Sequence, residues 1–284
     1  MIAAARSPLI LLVLLSVHAV LGANARPVAA RDVASPAPGL VIETLLETAF
    51  PGETIPEREP RIFFVRLRYR PGATFDQPAV AAAEHVVSGS LVVRSRGKVV
   101  VHRGSPGSGS DAAVEALAPG REATLAPGDV AVSLTPGAAQ TLHNPGATTA
   151  TTLKVLVVAT SETAGALPRG FATYVLGHLS TRDWQRSALP VGPVRVRVER
   201  VTAAPGMHAP LAATALPTLR YVDAGELEWA IESPATLLAP MPPTVRFRRG
   251  QTIPYQPQPA GRQWLLHNSG DEPLVLLVLS VMPG

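Results

Sequence analysis

The chain runs to 284 residues, 46% hydrophobic and 16% charged, which excludes a disordered protein and leaves room for one large domain or two modest ones. Twenty-nine prolines and 23 glycines are spread along it, a punctuation that excludes a long-helix protein and favours short strands joined by turns. The net charge is +4, with two lysines (Lys98, Lys154) and 23 arginines but no basic run interleaved with aromatics, so no nucleic-acid partner is expected; cysteine is absent, which excludes disulfides, thiolate metal sites and cysteine nucleophiles.

Residues 1–25 read as an export signal, with Arg6 at the start, an apolar run from Pro8 to Leu21 and the small-residue site Ala23–Ala25. Cleavage after Ala25 is predicted, giving a secreted or extracytoplasmic protein. The run is shorter than the ~20 residues of a spanning helix, though an uncleaved anchor stays open. After cleavage no segment is apolar for long enough to cross a membrane. Residues 26–39 are rich in Ala and Pro and read as a flexible lead.

The first strong strand is Ile62 to Arg70, alternating apolar and basic residues from Val65 onward and ending at the Pro71-Gly72 turn. Ser90–Arg94 and Lys98–His102 flank a short Gly-containing turn and read as a hairpin. Leu153–Val158 is another strand. Residues 161–193 are less regular and are assigned as a linker, with a short helix over Phe171–Leu179 and Ser180–Asp183 as its exit or as the cap of the next turn. Val194–Val201 then leads to Pro205-Gly206 as the earlier strand led to Pro71-Gly72, and Leu274–Val281 closes the chain. The segments QTLHNPG (140–146) and WLLHNSG (264–270) share a Leu-His-Asn-x-Gly tail, and each precedes a strand. This repeat predicts an internal duplication, with one barrel over 40–160 and a second over 194–284. Asn144-Pro145-Gly146 suits a type II turn with positive φ at Gly146. The strand arginines (Arg66, Arg68, Arg70, Arg195, Arg197, Arg200) read as solvated faces.

The spacing of these glycines and asparagines resembles the cupin superfamily, specifically its two-domain bicupins. The family's first motif places two histidines and a glutamate between two glycines. Gly206 and Gly225 stand at that spacing, and the ligand positions fall on Ala212, Thr214 and Thr218. Counting forward from Gly72 puts Pro78, Val80 and Glu84 there, whereas counting back from Gly89 puts Ala82 at the glutamate position. In the second motif, Pro259, Gly261 and Asn268 match with Trp264 in place of histidine; Gly137 and Asn144 match with Gln140 in that place. His143 and His267 lie on the opposite strand face. The resemblance implies an all-β fold of two tandem double-stranded β-helix (jelly-roll) barrels. The donors it leaves do not make the family's metal site, so no metal and no cofactor are expected.

Other signals are read blandly. His85 follows Glu84 and should face away from it, and His102, His178 and His208 suggest no site. The Gly-rich stretch Gly104–Ser110 precedes no strand-to-helix step and reads as a loop. What remains is a pocket: Glu84 and Gln140 are the candidate ligand-binding groups of the first barrel, and Trp264 of the second, where it either stacks on a ligand or plugs the barrel. Three functions stay open: a non-catalytic small-molecule-binding or scaffold protein, which is favoured; a divergent oxygenase, isomerase or lyase using Glu84 and Gln140, which requires Glu84 buried in an open pocket with a raised pKa; and a structural oligomerisation module, since the resemblance implies homodimers through the sheets.

Overall fold

The computed structural model describes residues 38–55, 60–77, 80–104, 113–134, 140–159, 171–180, 183, 193–212, 216–232, 244–253, 255 and 263–284. The expected signal, nearly all of the lead, Pro78, Thr214 and the Gly-rich stretch beyond Gly104 lie outside the described residues. Among the described residues the chain is almost wholly strand. It begins with β1 (Leu40–Phe50), β2 (Pro60–Tyr69), β3 (Thr74–Gln77), β4 (Ala81–Ser88), β5 (Leu91–Ser95), β6 (Val99–His102) and β7 (Val114–Leu117). There follow β8 (Glu122–Leu125), β9 (Val130–Ser133), β10 (Gln140–His143), β11 (Ala150–Ala159) and β12 (Phe171–Leu179). The later part holds β13 (Val194–Ala203), β14 (His208–Ala212), β15 (Thr218–Ala224), β16 (Glu226–Glu232), β17 (Val245–Arg248), β18 (Thr252–Ile253), β19 (Gln263–Asn268) and β20 (Leu274–Pro283).

These strands form four antiparallel sheets. Two central sheets run β12-β2-β11-β4-β9-β6-β7 and β1-β13-β20-β15-β18, and two smaller ones run β3-β10-β5-β8 and β14-β19-β16-β17. The orders repeat: β12, β2, β11, β4, β9 of the first half correspond to β1, β13, β20, β15, β18 of the second, and the four-stranded sheets match strand for strand. The duplication read from the Leu-His-Asn repeat is thus present in the sheet topology, and the fold is two jelly-roll-type barrels in tandem.

Strand alternation creates three apolar layers. On β2, Ile62 and Phe64 face one way while Val65, Leu67 and Tyr69 face the other. The first set joins Phe50, Val196 and Leu279 between the two central sheets, and the second meets Leu91, Leu125 and Leu142 inside the first barrel. On β13 the same switch sends Val194, Val196 and Val198 into the middle layer, and Val201 and Ala203 into the second barrel with Leu227, Trp229 and Leu266. Each fully buried aliphatic or aromatic side chain of this kind contributes about 1.5–3 kcal/mol.

Four expectations are corrected. Phe171–Leu179 is a strand, not a helix: it pairs with β2, with a bulge between Val175 and Gly177 that buries Leu176 in the middle layer. The Leu176 carbonyl freed by the bulge accepts from the Thr252 hydroxyl of the other central sheet, while Ser180 Oγ and Asp183 Oδ2 close the following turn at 2.6 Å. β5 and β6 do not form a hairpin; the chain crosses there from one sheet to the other, and Leu91, Val93, Val99 and Val101 meet inside the barrel from opposite walls. The division at 40–160 and 194–284 does not partition the sheets, because β1 pairs along its length with β13. Gly146 has no positive φ; its N–H instead donates to Asn144 Oδ1 at 2.9 Å, an Asx turn in place of type II.

Three of the strand arginines form close ion pairs: Arg66 with Asp223 across the middle layer (2.9 Å), Arg197 with Glu47 (2.9 Å) and Arg200 with Glu43 (2.9 Å).

Candidate functional site

Glu84 on β4 is 3% exposed and points into the first barrel, as expected. Register supplies its partners: Lys154 of β11 lies directly opposite Glu84, and Thr152 lies opposite Val86. On the far side of β11, Tyr69 of β2 pairs with Ala150. Lys154 Nζ donates to Glu84 Oε2 at 2.6 Å, while Tyr69 Oη (2.7 Å) and Thr152 Oγ1 (2.8 Å) both donate to Oε1. Lys154 is 1% exposed, so the ion pair is dry. Burial, the Glu84 charge and its hydrogen bond together hold the Tyr69 phenol well above its ordinary pKa, so it is a proton donor throughout the physiological range. Such a cluster satisfies a buried carboxylate from inside the chain.

Gln140 on β10 is buried and enters the barrel from the four-stranded sheet on the same face as Leu142. Among the described residues its Nε2 has no hydrogen-bond partner, and it is not among the groups bonded to Glu84. Trp264 stands on β19 between Leu211 and Ile231; its side chain lies outside the described residues.

Register resolves the ambiguous frame of the first copy. Pairing places Ala82 opposite Leu156 and Thr218 opposite Ser280, with Glu84 opposite Lys154 and Arg220 opposite Val278. With both copies aligned at Gly89 and Gly225, Ala82 matches Thr218 and Glu84 matches Arg220. Glu84 therefore stands one pleat beyond the family's glutamate position. The donors present do not fit a metal: Thr218 donates its hydroxyl to Leu216 O (3.1 Å), and both Glu84 oxygens are occupied. Among the described residues no group of three His, Cys, Asp or Glu could hold an ion.

The second barrel differs at the matched position. Arg220 is 8% exposed, flanked by Ile253 on one side and Val278 on the other. Its guanidinium carbon lies 5.2 Å from the centre of the Trp229 ring. Among the described residues no carboxylate pairs with it. Burial alone pushes it down to about 10, so it stays charged at neutral pH. Sequence reading missed Arg220, Trp229, Lys154, Thr152 and Tyr69. One signal was available for Arg220, which precedes Gly225 by the interval separating Glu84 from Gly89.

The described histidines stand apart from both interiors. His85 faces the middle layer, where burial and Arg200 lower it to about 4. His208 stacks on His267 (3.8 Å), whose Nδ1 lies 2.9 Å from Glu228 Oε2 on the four-stranded sheet. His143 bonds Thr74 Oγ1 at 3.0 Å.

No family model matches the chain, and no curated protein matches it. Solved structures do. Oxalate decarboxylase of Bacillus subtilis aligns over 84% of this chain and 74% of its own, at 12% identity and TM-score 0.44. The protein YhaK of Escherichia coli aligns over 84% and 94%, at 12% identity and TM-score 0.41. The vicilin of Solanum melongena aligns over 78% and 74%, at 12% identity and TM-score 0.39. These neighbours are cupin-superfamily proteins. At such identities and TM-scores the likeness carries no argument of its own; the repeated strand order already described is the direct observation of the two-barrel fold.

Proposed function

We propose that this chain is an exported two-barrel protein of cupin type that binds a small molecule without catalysing its conversion, the first barrel serving as a closed structural half and the second as the ligand-taking half. The observation that carries the reading is the contrast at one matched position. Glu84 is neutralised within the chain by Lys154 and bonded by Tyr69 and Thr152, whereas among the described residues Arg220 meets no carboxylate and lies over the Trp229 ring. A carboxylate held by three donors is not free to act as a base, which disfavours the catalytic alternative built on Glu84 and Gln140.

Binding is tested by thermal shift of the purified chain against a library of small organic molecules. Ligands that raise Tm in the unaltered chain are expected to lose their effect in Val278→Trp, which fills the second barrel, and to keep it in Ala131→Leu, which crowds the first. No stabilising ligand would leave the scaffold role. Elemental analysis of protein purified without chelators tests the other branch, since near-stoichiometric transition metal would overturn the reading.

A further inference from the structure

Arg220 is a buried cation whose described neighbours on the adjacent strands are apolar. Its register neighbours are Ile253 and Val278, and Val222 and Leu276 form the next pair along the same face. A guanidinium cannot shed its proton to escape such a site, so burial without a counter-charge is a standing cost. In the first barrel the matched carboxylate meets an ammonium from the adjacent strand, whereas here the adjacent strand offers Val278. Trp229 offsets only part of this cost, because a cation–π contact is weaker than a desolvated ion pair.

The fold also leaves this end less covered. In the first half, β6 and β7 continue the central sheet beyond β9 and bring Val99, Val101 and Leu117 into the interior. In the second half, among the described residues, the sheet ends at β18, two residues long, one of them paired with Arg220 itself. Among the described residues, the missing counter-charge and the short end of the sheet fall at the same place, since Ile253 of β18 pairs with Arg220.

We infer that the second barrel takes a small organic monocarboxylate, its carboxylate paired with Arg220 and its apolar body against Trp229, Ile253 and Val278. This rests on the ligand-binding reading above and adds the ligand's chemical class. A guanidinium lying over an indole keeps its in-plane N–H edge available, and that edge matches a carboxylate in two parallel hydrogen bonds. The single cation matches a single negative charge. The aliphatic neighbours match a hydrocarbon body better than a sugar or a phosphate ester.

The test uses the full chain and five probes, benzoate and hexanoate, their uncharged twins benzamide and hexanamide, and inorganic phosphate, followed by calorimetry and by NMR of 15N-labelled arginine side chains. Both carboxylates are expected to bind, each amide at least about ten-fold more weakly, with one guanidinium signal shifting on titration. Arg220→Met should abolish the preference for carboxylate and raise the Tm of the unliganded protein by about 4 °C or more, since it removes an unpaired buried charge. Equal binding of amide and acid, a preference that survives in Arg220→Met, tighter binding of inorganic phosphate, or no binding of any probe to the folded chain would each overturn the inference. Neutral molecules that stabilise the chain and Arg220→Met alike would leave the ligand-binding reading standing while this inference falls. If the library yields nothing as well, both fall.

Discussion

Glu84 and Lys154 are 70 positions apart in sequence and 2.6 Å apart in the barrel. Removing one member of a dry pair strands the other, and a stranded buried charge costs about 3–5 kcal/mol. Lys154→Met should therefore destabilise the chain by that amount in urea unfolding, and Glu84→Gln added to it should return most of the loss. If the double variant were no better than the single, the pair would not be the source. His85 sets a second expectation. Its folded-state pKa of about 4 lies below the ordinary 6.5, because burial among Leu153 and Val130 and the nearby Arg200 disfavour its charged form, Asp129 only partly opposing them. Above pH 6.5 the residue is neutral in both states and costs nothing. As pH falls from 6.5 to 4 the unfolded chain takes up a proton that the folded chain refuses, so stability drops by about 1.4 kcal/mol per unit, about 3 kcal/mol in all. Unfolding measured from pH 7 to pH 4 should show this loss in the unaltered chain and lack it in His85→Phe.

At the scale of the element, the two copies agree down to single hydrogen bonds. Asn144 Nδ2 donates to Tyr69 O and Thr148 O, and Asn268 Nδ2 to Ala203 O and Glu272 O, all at 2.8–3.0 Å. Gly72 and Gly206 share a positive φ (71° and 70°), as do Gly89 and Gly225 (77° and 76°). The surroundings of these glycines differ. A Cβ at Gly72 or Gly206 would meet nothing within 4 Å, whereas one at Gly89 would lie 2.7 Å from Ala150 Cα, and one at Gly225 2.9 Å from Leu274 Cα and Pro273 O. Alanine at Gly72 or Gly206 should therefore cost only the dihedral penalty, about 1–2 kcal/mol. Alanine at Gly89 or Gly225 must in addition push backbone aside and should cost several-fold more, measured as the shift in urea midpoint. Similar losses at all four would mean that φ alone sets the requirement.

For the whole molecule, the exchange of β1 is the controlling feature. It supplies the edge of the second central sheet and buries Leu45, Leu46 and Phe50 between the halves. A chain beginning at Pro60 would bare those partners together with the open edge of β13. Such a chain should lose cooperative unfolding or aggregate, and a synthetic peptide spanning Leu40–Phe50 should restore the native circular-dichroism spectrum in trans. Native-like unfolding of the shortened chain without peptide would show that β1 is dispensable.

Much of this was legible from local pattern. Period-two alternation located β2 and β13, short apolar runs located β11 and β20, the Leu-His-Asn repeat located the duplication, and strand parity put Glu84 inside the barrel, because side-chain direction along a strand depends only on neighbours in sequence. By the same parity His85 faces the opposite way, into the middle layer. What a strand pairs with is not local. FATYVLGHL carries no periodic signal that separates helix from strand, and the long edge of β2 decided it. β5 and β6 look like a hairpin until their opposed burial is seen. Lys154, Thr152 and Tyr69 reach Glu84 only through the register of three strands, and the same register sets Val278 and Ile253, not a carboxylate, beside Arg220. Sequence by itself determined the strongly patterned strands and which face each shows, while tertiary structure alone decided the strand at Phe171–Leu179, charge pairing and sheet membership, since these depend on contacts between segments far apart in the chain.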